Sequence, residues 1–81
     1  MSRISRESLE QRNNVLQERI AKLEKLITEK EMELESMREL RFEPEYYQDY
    51  TKMNALNEDI DDIHNEIAHL EEKWEQLLEE E

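Results

Sequence analysis

MNALNEDIDDIHNEIAHLEEKWEQL, residues 53–77, decides the fold. Its apolar positions are Met53, Leu56, Ile60, Ile63, Ile67, Leu70, Trp74 and Leu77, so the spacing alternates three and four without a miss. That is the repeat of a helix whose single apolar stripe packs against a second helix. The second helix is expected over about residues 51–80, with Asp49 or Thr51 as its cap.

The partner stripe lies upstream. Leu9, Leu16, Leu23 and Met37 occupy one core position, and Ile20, Ile27 and Leu34 the other. Asn13 and Lys30 interrupt the seam, and such residues set register more often than they bind ligands. Lys30 can pack its stem and carry its ammonium out to water. This first helix is expected over about residues 5–41, starting near Ser5 or Ser8, with Ser8 and Gln11 spaced as a capping box.

Between the helices stands RFEPEYYQDY, residues 41–50. Pro44 cannot continue the first helix, because its ring clashes with the preceding turn. It suits the first position of a new turn, so one helical or 3₁₀ turn is expected over Pro44 to Tyr47, inside a bend at 42–50. Two long helices with a short connection fold back antiparallel. The fold class is therefore all-α, a two-helix antiparallel coiled-coil hairpin. Facing residues in such a hairpin have numbers with a constant sum. A sum near 93 pairs every seam residue from Leu16 to Leu34, setting Leu34 against Ile60 and Ile20 against Trp74. It also sets Glu24 opposite Glu71 and Glu33 opposite Asp59. Those like-charge pairs cost a few tenths of a kcal/mol each, against about 1.5 to 3 kcal/mol per buried large side chain. At about 1.5 Å per residue the paired stalk measures roughly 45 to 50 Å.

Composition agrees. The 81 residues are 42% charged and 36% hydrophobic, with no Gly, one Pro and no Cys. A thick globular core is out of reach, and regularly spaced apolar residues favour long helices over disorder. Without Gly the chain cannot form a P-loop or a dinucleotide fingerprint, which bring backbone close to phosphate. No site for catalysis or a cofactor is visible. His64 and His69 are five apart, on different helix faces, and with no Cys they do not make a zinc site. The run Glu58, Asp59, Asp61, Asp62 lacks the Gly of a calcium loop. No apolar run approaches a membrane span and no signal peptide is visible. The chain fits a cytoplasmic protein.

Charge is unevenly divided. Residues 1–42 carry nine basic and nine acidic residues, whereas residues 43–81 carry two basic and fourteen acidic, which accounts for the net −12. Arg12, Arg19, Lys22 and Lys25, with Lys73 expected beside Arg19, form a basic face that Arg3 and Arg6 extend. It reads either as a solvated face with i,i+4 pairs or as a phosphate-contacting surface. The acidic second helix opposes DNA as a partner. Phe42, Tyr46, Tyr47 and Tyr50 crowd the bend. They can plug the end of the core or, at Tyr46, Tyr47 and Tyr50, dock a partner. Trp74 reads as a core knob.

The run Glu43-Pro44-Glu45-Tyr46-Tyr47, with Trp74, Glu75 and Leu77 near the end, resembles the C-terminal domain of ABC-F type ATP-binding proteins. That domain has an Asp-Pro-x-x-Tyr turn and an acidic, Trp-containing last helix. The resemblance implies a hairpin cut from a larger cytosolic ATPase, attached behind two ATPase cassettes in cis. The family acts on the ribosome, and the tail binds nucleic acid in some members. With a net charge of −12, contact with ribosomal RNA or protein through the basic end of the first helix is easier to reconcile than DNA binding. The turn is also similar to that in the N-terminal helical domain of peptide-chain release factors. A third reading is a structural coil, a spacer or a dimerisation arm that assembles into a homo-oligomer.

Overall fold

The computed structural model describes residues 3–80, with side chains from residue 10 onward. Three helices follow one another: α1 (Arg3–Leu40), α2 (Pro44–Tyr47) and α3 (Tyr50–Glu79). The two long helices pack side by side as a rod of 69 × 15 × 11 Å. The expected helical hairpin is the observed fold, with the expected short turn at Pro44–Tyr47.

Local chemistry explains the ends. α1 begins by Arg3, ahead of Ser5 and Ser8, so the anticipated capping box lies inside the helix. Arg41, Phe42 and Glu43 bond back to the carbonyls of Arg38, Glu39 and Leu40, which closes the last turn of α1. Pro44 then opens α2, where its missing N–H is no loss. Asp49 caps α3: its carboxylate accepts from the backbone N–H of Thr51 at 3.0 Å and of Lys52 at 3.2 Å. This satisfies two of the donors that every helix start leaves free.

The core lies towards the bend. Leu34 of α1 joins Leu56, Ile60, Ile63 and Ile67 of α3 in one buried cluster, flanked by Met37, Leu40, Met53 and Tyr46. Ile60 is the deepest, 2% exposed. Towards the open end Ile20 is also buried, Leu23, Ile27, Leu70, Trp74 and Leu77 are half-buried, and residues 10–15 of α1 are exposed.

The register differs from the sum of 93. Cross-helix polar contacts join Lys30 to Glu66, Arg41 to Asn57 and Arg38 to His64, pairs whose numbers sum to 96, 98 and 102. The helices are thus displaced by about one turn. A sum of 93 or 94 pairs like core positions with like, whereas antiparallel packing sets the first core position of one helix beside the second of the other. A seam sum of 97 does this, with Leu34 facing Ile63 and Leu23 facing Trp74. Accordingly Trp74 shares a cleft with Ile27 and Thr28 rather than standing opposite Ile20.

Candidate functional site: free cations at the open end and exposed aromatics at the bend

Nine basic side chains lie within the described region, and they divide by position. Near the bend all four are engaged. Lys30 Nζ contacts Glu66 at 2.8 Å and Glu33 at 3.7 Å. Arg38 Nη2 donates to His64 Nε2 at 2.8 Å. Arg41 Nε donates to Asn57 Oδ1 at 2.9 Å. Lys52 Nζ donates to Glu45 Oε1 at 2.9 Å. The hydrogen bond and charge of Glu66 hold the Lys30 ammonium above the usual lysine range, and Glu45 does the same for Lys52.

The other five are Arg12, Arg19, Lys22, Lys25 and Lys73. All are exposed, and none makes an ion pair or hydrogen bond among the described residues. Arg3 and Arg6, expected to extend this face, lie outside the described side chains. At about 100° per residue, Arg12, Arg19 and Lys22 fall within roughly 80° of α1, and Lys25 lies about 60° further round. Val15 and Leu26, 48% and 39% exposed, sit in the same stripe. A seam sum of 97 places Lys73 about 5 residues from the level of Arg19, roughly 7 to 8 Å along the axis.

The opposite edge of the open end is acidic. Glu24, Glu31, Glu71 and Glu75 surround a cleft of about 300 Å³ floored by Ile27 and Trp74. The pairing of Glu24 with Glu71 foreseen from the sequence survives as a shared cleft. Glu33 instead shares Lys30 with Glu66. Trp74 is half-buried, and its indole Nε1 is buried with no hydrogen-bond partner among the described residues.

At the bend, the four aromatic residues do not form one plug. Tyr46 packs against the core, while Phe42, Tyr50 and Tyr47 are 83%, 81% and 56% exposed. Phe42, which the sequence suggested only as part of the plug, is thus the most exposed of the four. Among the described residues no group of three or more His, Asp or Glu is placed to hold a metal ion, and no helix is long and apolar enough to cross a membrane.

Helix lengths, the proline-started turn and the Trp-bearing last helix define a helical-hairpin arm. Residues 7–79 match the ABC transporter C-terminal domain family, so the chain belongs to that family and is a C-terminal arm of an ABC-type protein. No curated protein and no solved structure gives a significant match.

Proposed function

We propose that the hairpin is the nucleic-acid-contacting arm of an ABC-F type ATP-binding protein, touching ribosomal RNA through the open end of α1. Its parent's ATPase cassettes lie elsewhere on the polypeptide, and the arm supplies binding. One observation carries the reading: Arg12, Arg19, Lys22, Lys25 and Lys73 are exposed and make no ion pair or hydrogen bond among the described residues, while the cations nearer the bend each hold a contact within the chain. Unpaired cations can release counterions from phosphates without first breaking an internal contact. Glu10 and Glu18 on α1 oppose this, and the net negative charge lies on residues 43–81. Their repulsion is screened over about 10 Å at 0.1 M salt.

Titration of the chain with a fluorescent double-stranded RNA, across a salt series, tests the proposal. Four to five phosphate contacts on a duplex give a slope of log K against log salt of about −3.6 to −4.5. Absence of binding even at low salt would sink it. A second reading is a dimerisation arm, which draws on the exposed Val15 and Leu26 in the same stripe. Light scattering over a concentration series separates the two, because this reading requires a mass that rises with concentration.

A further inference from the structure

Three of the four aromatic residues at the bend lie outside the core cluster. Tyr46 alone of the four packs against the core. Phe42, Tyr47 and Tyr50 leave apolar ring surface in water at one end of the rod, and large exposed apolar groups in one place mark contact sites.

The surrounding charge selects among partners. Residues 35–62 carry nine acidic and three basic side chains, a net charge of −6. Of the three cations only Lys52 is ion-paired, to Glu45, while Arg38 and Arg41 each place one donor on a side chain that is not an acid, His64 and Asn57 respectively. Bases could stack on these rings, but their phosphates would meet a three-to-one surplus of carboxylates over cations. A guanidinium suits both features. It lies flat on aromatic faces, it is weakly hydrated, and its charge complements carboxylates such as Glu39 and Glu43.

We infer that the tip of the hairpin docks, through Phe42, Tyr47 and Tyr50, onto an arginine-bearing segment of a protein partner. This contact is independent of the nucleic-acid contact at the open end. It gives the rod two working ends of opposite charge preference.

The experiment titrates the full 81-residue chain with a synthetic peptide of alternating Arg and Ser, read by NMR of the aromatic side chains. The Phe42, Tyr47 and Tyr50 resonances move and those of Trp74 stay. The variant F42S/Y47S/Y50S keeps its helicity, because the three side chains are exposed, and binds the peptide about ten-fold more weakly. A Lys-for-Arg peptide of equal charge binds several-fold more weakly than the Arg peptide. Equal affinity for variant and parent would reduce the effect to attraction by net charge and overturn the inference. So would shifts confined to Trp74, which would place the contact in the acidic cleft. A single-stranded oligonucleotide that moved the three resonances at moderate salt would make the tip a nucleic-acid platform instead, which also overturns it.

Discussion

Towards the bend, Leu34, Leu56, Ile60, Ile63 and Ile67 are buried together, and every cation beside them has a partner. Towards the open end only Ile20 is fully buried, Leu23, Ile27, Leu70, Trp74 and Leu77 are half-buried, five cations make no ion pair or hydrogen bond among the described residues, and four glutamates line a cleft. The same heptad repeat runs through both halves. The difference lies in what the repeat is given to work with. At the bend a short link and the Asp49 cap hold the helices together, so burial and polar pairing reinforce each other. At the open end Trp74 fills the seam with no partner for its N–H among the described residues, and the five cations there are exposed.

The largest expected effect is a core truncation on the bend side. Ile60→Ala should destabilise the hairpin by about 2 to 4 kcal/mol, much of what so small a domain has. Ile27→Ala, at a half-buried site, should cost about half as much. Urea unfolding followed by circular dichroism measures both, and equal losses would erase the contrast between the halves. Next, Asp49→Ala should cost about 1 kcal/mol, because two backbone donors of α3 lose their acceptor. Trp74→Phe should change stability by less than about 1 kcal/mol, since the lost ring volume is offset by removal of a buried, unpartnered donor. A clearly larger loss would mean that the indole N–H has a partner.

The smallest effect is one of pH. Glu66, with Glu33 behind it, favours the charged form of Lys30 in the folded state. A raised folded pKa contributes stability fully below the unfolded value and loses it as pH rises through the folded one. The contribution is therefore intact at neutral pH and fades above the ordinary lysine range. Thermal midpoints measured from neutral to strongly alkaline pH should fall less steeply in Lys30→Met than in the parent. Identical slopes would mean that the Lys30–Glu66 contact does not persist in solution.

Much of this architecture was legible in the residues. The unbroken spacing from Met53 to Leu77 placed α3 as a helix, Pro44 placed α2, and Asp49 was one of two candidate caps. Register was not legible. A seam that alternates three and four still matches after a shift of three or four residues, because the shift exchanges one core position for the other and both are apolar. Only polar partners such as Lys30 with Glu66 break that degeneracy, and long side chains at seam edges are compatible with several registers. The residue types of the site could be read, since Arg12, Arg19, Lys22 and Lys25 stand out on α1. Which cations are free and which are engaged depends on the register, so that division could not be read. Nor could the exposure of Phe42, because an aromatic beside a proline bend packs inward or outward according to the angle at which the chain turns.

The central claim is that position along the rod, and not total charge, decides which cations meet nucleic acid. Two variants remove four positive charges each: R12Q/R19Q/K22Q/K25Q at the open end and K30Q/R38Q/R41Q/K52Q near the bend. Fluorescence anisotropy with the same labelled RNA at low salt compares them with the parent. The first variant should lose binding and the second should stay within about two-fold of the parent, because its four cations hold contacts within the chain and lie away from the open end. Equal losses in the two variants would contradict it.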